Sequence, residues 1–121
     1  FVINCIDLMR GGETFIPKLK SVKVLDLAKV MDSKKKIKLI GIRPGEKINE
    51  LLTTLSNDYL TLEFKNHYVV IPSTSVNIEK KYYIKNKRGE TGKFVQKGFE
   101  YNSGKNKKFM GTNEIKTKLK A

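Results

Sequence analysis

Ten consecutive residues constrain this chain more than any others: Gly41-Ile42-Arg43-Pro44-Gly45-Glu46-Lys47-Ile48-Asn49-Glu50. The apolar run at residues 37–42 reads as a strand and Pro44-Gly45 as a tight turn. Ile48, Leu51, Leu52 and Leu55 then recur at the spacing of one helix face. A proline disfavours the helical region for the residue before it, so Arg43 is expected to be extended, with its guanidinium thrown off the strand end. Glu46 is expected in the first turn of the helix, where the dipole favours a carboxylate. A guanidinium and a nearby carboxylate at a strand's carboxyl end can grip a phosphate and a diol together. They can equally cap the helix and pair with each other on the surface, because exposed ion pairs are common and weak. Spacing alone leaves both readings open.

The rest of the chain supplies a modest set of elements. Residues 1–10 read as a helix whose apolar face is Val2, Cys5, Ile6 and Met9, stopped by Gly11-Gly12. Residues 13–16 form a short strand limited by Pro17. Ser21 is the expected N-cap of a helix carried by Val24, Leu27, Ala28 and Met31. After a turn at Ser56-Asn57-Asp58, residues 59–64 and 67–71 alternate like a hairpin around Lys65-Asn66, closed by Pro72. Residues 73–111 are broken repeatedly by glycine and read as irregular, and residues 112–120 as a last short helix. The expected division is a subdomain at 1–72 and an irregular basic tail at 73–121 that wraps the same domain.

Composition narrows the class. The 121 residues suffice for one domain with a small core. No apolar run is long enough to span a membrane and no leader is recognisable. The chain opens Phe1-Val2-Ile3 without an initiator Met, as a piece of a longer protein would. A single cysteine, Cys5, excludes an internal disulfide and a thiolate metal cage, and fits a reducing, cytoplasmic setting. The net charge is +13, of which residues 80–121 hold +10 (twelve Lys and one Arg against three Glu). Arg10, Arg43 and Arg88 are the only arginines. Base readout and bidentate phosphate capture favour arginine, so nucleic acid is disfavoured as a partner. A non-catalytic basic module for nucleic acid or an anionic surface is the alternative function that charge keeps open.

Much chemistry is absent. There is no glycine-rich phosphate loop, no metal-ligand spacing, and only one histidine, His67, which reads as structural. Tyr83/Lys87 and Tyr101/Lys105 have the Tyr-x-x-x-Lys spacing of short-chain dehydrogenases, but in so lysine-rich a chain such hits arise by accident.

The order Gly11-Gly12-Glu13-Thr14-Phe15-Ile16-Pro17-Lys18, Asp26-Leu27-Ala28, Ile40-Gly41-Ile42-Arg43-Pro44-Gly45-Glu46-Lys47 and Glu50 resembles the C-terminal third of one enzyme family. So do Phe99-Glu100-Tyr101-Asn102-Ser103, Asn106 and the closing helix. That family is the polysaccharide-biosynthesis branch of the extended short-chain dehydrogenase/reductases, which includes UDP-N-acetylglucosamine 4,6-dehydratases (the 5-inverting type among them) and related epimerases. Asn49, Phe109 and Gly111 depart from its usual His, Trp and Ser or Thr.

The resemblance implies an α/β fold: the C-terminal substrate-binding domain of such an enzyme, with the Rossmann domain absent from this chain. It implies that Arg43 contacts the nucleotide diphosphate, that Glu46 holds the ribose hydroxyls, and that Pro17 and Lys18 lie beside the nucleotide. The whole enzyme would be a homo-oligomer using NADP on a UDP-sugar. It would oxidise C4, lose water across C5–C6 and return hydride to C6. The catalytic groups and the NADP site would belong to the missing N-terminal Rossmann domain. These 121 residues alone are therefore expected to be inactive and to bind no NADP.

Overall fold

The β-prone run at residues 67–71 becomes the strand on which half of the structure is built. The computed structural model describes residues 1–73 and 81–120. In it, β4 (His67–Val70) is paired along both edges. It runs antiparallel to β3 (Thr61–Glu63) across the Lys65-Asn66 turn. On the other side it runs antiparallel to β1 (Thr14–Pro17), with Phe15 opposite Val69 and Pro17 opposite His67. β5 (Lys93–Phe94) adds to the free edge of β3, giving the order β1-β4-β3-β5. Pro17 can close β1 because an edge strand tolerates a missing donor.

Residues opposite one another in an antiparallel pair share a face. Leu62, Val69 and Phe15 therefore point one way. They meet a core of Leu60, Phe64, Ile71 and Tyr83, against which Val70 and Ile84 also pack. Tyr68 and Glu63 share the opposite face, where the Tyr68 ring leans on Phe99 and Tyr101 at centroid distances of 5.0 and 5.2 Å.

The helices are α1 (Val2–Leu8), α2 (Val24–Met31), α3 (Lys81–Ile84) and α4 (Thr112–Lys120), with a 3-10 helix at Leu55–Leu60. Two short strands, β2 (Leu51–Thr53) and β6 (Tyr101–Asn102), complete the set. The chain forms two compact units of interleaved segments. Unit 1 is Phe1–Lys18 with Leu52–Tyr101, and unit 2 is Leu19–Leu51 with Asn102–Ala121, so residues beyond 72 contribute to both.

Several expectations need correction. No strand forms at residues 37–42 and no helix at 48–55. Every residue from 31 to 52 is exposed and no described strand pairs with residues 37–42, and a strand without a partner has no ladder to hold it extended. The helical spacing of Ile48, Leu51, Leu52 and Leu55 was misleading. Thr53 and Thr54 favour extended backbone, and the buried Thr53 hydroxyl accepts the Tyr101 N–H at 2.8 Å. Ser21 is not an N-cap: Lys23 holds that position, and the buried Ser21 hydroxyl donates to the Ser103 carbonyl at 2.7 Å. In α1 the buried residue is Leu8, with Cys5 and Met9 half-buried, while Val2 and Ile6 stay exposed. Within residues 73–111, of which 74–80 lie outside the described residues, α3, β5 and β6 are regular. The two-residue strand β5 takes its order from β3 rather than from its own sequence.

His67 is buried at the end of β4. Its ring stacks on Phe64 at 4.9 Å with planes 4° apart and lies 5.6 Å from Phe15 and 6.4 Å from Phe1. Its Nε2 has no hydrogen-bond partner among the described residues. Burial pushes the imidazole pKa below its ordinary 6.5, Glu90 pulls it partway back, and Lys18 pushes it down.

The unfolded chain therefore takes up a proton that the folded one refuses as pH falls through 6.5, and unit 1 loses stability on acidification until the lower folded pKa is passed. His67→Phe keeps the ring contacts and removes the titration. Urea midpoints should fall between about pH 7.5 and about pH 5.5 in the native chain and fall less in the variant. Equal falls would show that His67 is not the group responsible.

Candidate functional site

Arg43, Pro44, Gly45 and Glu46 form a tight turn. Gly45 has φ 85°, which an L side chain rarely adopts and which position i+2 of a type II turn requires. Pro44 at i+1 presets the preceding corner. The turn is closed by Glu46 N–H donating to the Arg43 carbonyl at 3.0 Å. In return, Glu46 Oε2 accepts the Arg43 N–H at 2.9 Å. The other carboxylate oxygen lies 3.8 Å from Arg43 Nε. One carboxylate thus braces the backbone of a four-residue loop and lies near its guanidinium.

Arg43 and Glu46 are brought together as expected from their spacing, but the carboxylate braces a turn and does not sit at a helix N-terminus. Both side chains are largely exposed, at 69% and 51%. The guanidinium offers five donors. Only its Nε faces Glu46, and the Nη groups make no bond among the described residues. An outward-facing guanidinium with its Nη groups open can receive a phosphate bidentately.

Pro17 and Lys18 belong to unit 1, and Arg43 and Glu46 to unit 2. Lys18 follows the last residue of β1, and its N–H donates to the Asn66 carbonyl at 3.1 Å. Its ammonium is held by Glu63 Oε1 at 2.7 Å and lies 4.9 Å above the Tyr68 ring. Burial, with Glu63 and Tyr101 nearby, raises the Tyr68 pKa from its usual 10. The Tyr83/Lys87 pair is not a catalytic constellation: Tyr83 is a core residue whose hydroxyl donates to the Gly11 carbonyl at 3.3 Å. Among the described residues no cluster of metal-ligating side chains occurs.

Two features had no signal in the sequence. Glu50 and Ser103 bond reciprocally, Ser103 N–H to the Glu50 carbonyl and Glu50 N–H to Ser103 Oγ, each at 2.9 Å. Beside them the Asn49 side chain fills the space a Cβ would take at Gly104. In unit 1 an open groove of about 600 Å³ is lined by Asp58, Tyr59, Phe94, Val95 and Lys97. The partners in both features are tens of residues apart in sequence, which no local pattern encodes.

The family model described as "Polysaccharide biosynthesis protein" matches residues 1–72. Two proteins of Campylobacter jejuni subsp. jejuni, both named UDP-N-acetylglucosamine 4,6-dehydratase (inverting), are similar to this chain over 115 residues. The one from serotype O:23/36 (strain 81-176) is 36% identical and the one from serotype O:2 (strain ATCC 700819 / NCTC 11168) 37% identical, each match covering 95% of this chain. The chain spans 34% of the length of these curated relatives. Among solved structures, the X-ray structure of Pen from Bacillus thuringiensis superposes with a TM-score of 0.67 at 24% identity. That match covers 97% of this chain and 33% of that one, and it shows a shared fold.

Gly45→Ala places a side chain at positive φ with nothing within 4 Å of its Cβ, so the cost is backbone strain alone. At about 1–2 kcal/mol, the turn should open more often and Glu46 amide exchange should speed up by about tenfold, with little change in melting. An unchanged exchange rate would show that this turn is not the conformation in solution.

Proposed function

The chain belongs to the polysaccharide biosynthesis protein family and is homologous to the C-terminal region of UDP-N-acetylglucosamine 4,6-dehydratases, and we propose that it forms the nucleotide-sugar-binding part of an NADP-dependent enzyme of that kind. The observation that carries this reading is the braced turn: a guanidinium with open Nη groups beside a carboxylate that closes the turn's backbone, within a stretch that resembles the family's nucleotide-contacting motif. In this reading Arg43 holds the diphosphate of a UDP-sugar and Glu46 its ribose hydroxyls, with Pro17 and Lys18 beside the nucleotide. Residues 1–72 make the binding subdomain and residues 73–121 serve it as a basic tail.

The remaining two-thirds of the protein supplies NADP binding and the catalytic groups, and the whole acts in the cytoplasm as a homo-oligomer in making a surface polysaccharide. Among the described residues no helix is long and apolar enough to cross a membrane. Ile37, Leu39, Ile40, Ile42 and Ile48 are all exposed. Apolar side chains of this density favour burial, and the Rossmann domain is the surface that covers them in this proposal.

In the full-length protein, Arg43→Ala should weaken UDP binding by on the order of 2–3 kcal/mol, the scale of a charge-assisted bond. Glu46→Ala should cost less, since water can partly satisfy a ribose hydroxyl. Melting temperatures should hardly move, because both side chains are exposed and their pair is long. Calorimetric titration with UDP beside thermal melts tests this. Unchanged affinity in Arg43→Ala, or a loss explained by melting, would make Arg43 a turn brace only.

A further inference from the structure

The sequence places the positive charge in the tail, but the fold gathers it differently. Unit 2 joins two distant segments, residues 19–51 and 102–121, and holds fifteen basic side chains against five acidic ones, a net of +10. Unit 1 keeps the remaining +3. Both basic segments belong to one structural element set: α2 packs against α4, Lys20 bridges to Glu114 at 2.8 Å, and Ser21 bonds to the backbone of Lys108 and Met110. Apolar side chains are interleaved with this charge and exposed to solvent. Val24 and Met31 of α2 are 80% and 70% exposed, and Leu119 of α4 is 53% exposed. Lys116, Lys118 and Lys120 surround Leu119 on α4.

From this we infer that the α2–α4 side of unit 2, with the Lys105–Lys108 loop, docks on an anionic lipid surface. The chemistry selects lipid over nucleic acid. Fourteen of the fifteen cations are lysine, whose compact ammonium attracts anionic headgroups by charge but lacks the bidentate fork of arginine. Phe109 is the one aromatic residue in unit 2, so no stacking platform exists for unpaired bases. Exposed aliphatic side chains among lysines suit the boundary between headgroups and acyl chains, whereas a phosphodiester backbone gives them nothing to contact. Arg43 and Glu46 take no part, so this inference stands or falls apart from the nucleotide-sugar reading.

The test is co-sedimentation of the full chain with vesicles of phosphatidylcholine alone and of phosphatidylcholine containing about one-third phosphatidylglycerol, at low salt and at roughly 0.3 M salt. Binding is expected only to the anionic vesicles and should fade with salt. Two quintuple variants then locate the surface. Lys107, Lys108, Lys116, Lys118 and Lys120 changed to Gln should lower vesicle affinity by at least about tenfold, because each lysine beside an anionic surface adds to the attraction. Lys65, Lys81, Lys85, Lys87 and Lys97 changed to Gln remove the same charge from unit 1 and should cost far less. Glutamine keeps helix propensity in α4. If circular dichroism still shows a loss of fold, the loop pair Lys107→Gln and Lys108→Gln is read instead and should give a several-fold loss. Equal losses in the two quintuple variants, no binding to anionic vesicles at low salt, or tighter binding to a duplex oligonucleotide than to those vesicles would each overturn the inference.

Discussion

Unit 1 depends on β4 being paired along both of its edges. A central strand satisfies every backbone donor and acceptor in regular bonds, so its alternate side chains can be buried without an orphaned polar group. Val69 on one face, with Leu62 and Phe15 as its neighbours, seeds the core, and Ile71 continues it past the strand end. Edge strand β1 is held in place by this pairing, and Lys18 leaves it to meet Tyr68 and Glu63, one strand and two strands away in the sheet. The position of a candidate ligand-proximal lysine is thus set by strand register. Even the partly polar interior follows this rule: Thr61, wholly buried, donates its hydroxyl to the Asn57 carbonyl at 2.7 Å.

What the sequence made legible is what local physics decides. α2 follows from apolar spacing, α4 from Glu114 in a first turn that follows Gly111, the β3–β4 hairpin from β-branched and aromatic runs around Lys65-Asn66, and the turn at Pro44-Gly45 from the backbone preferences of those two residues. The failures share a different cause. Residues 37–42 are apolar enough for a strand, yet a strand exists only with a partner, and none of the described residues supplies one. Leu51–Thr53 carried a helical spacing that Thr53 and its bond to Tyr101 overrode. β5 is two residues long, and Ser21 is fixed by Ser103, Lys108 and Met110 more than eighty residues away. Non-local bonds of this sort leave no periodic trace.

The candidate site divides in the same way. The Arg43–Glu46 juxtaposition was readable because proline, glycine and a three-residue separation dictate it. Its meaning was not: the carboxylate braces a turn where a helix terminus was expected, and the two arrangements differ in which backbone groups the carboxylate satisfies. The turn form fixes the loop by the Glu46 N–H on the Arg43 carbonyl and the Arg43 N–H on the Glu46 carboxylate, and leaves the Nη side of the guanidinium open. That is better suited to receiving an anion than a side chain folded back onto a helix end would be.

Burial separates the two units more sharply than secondary structure does. Among the described residues six buried apolar side chains of unit 1 form a connected cluster, with Leu8 and Ile16 buried outside it, whereas unit 2 buries Ile115 and the polar Ser21. Packing of that size contributes little against the entropy of ordering more than fifty residues. The many lysines of unit 2 also repel one another in the compact state. The interior of unit 2 is therefore a minor source of its order. The exposed isoleucines and leucines of residues 37–51 suit an apolar surface, and the lysines around α4 suit an anionic one. These are two chemically distinct surfaces on two sets of side chains. Covering one leaves the other open, so a protein surface over the first and a lipid surface against the second are compatible in a single molecule.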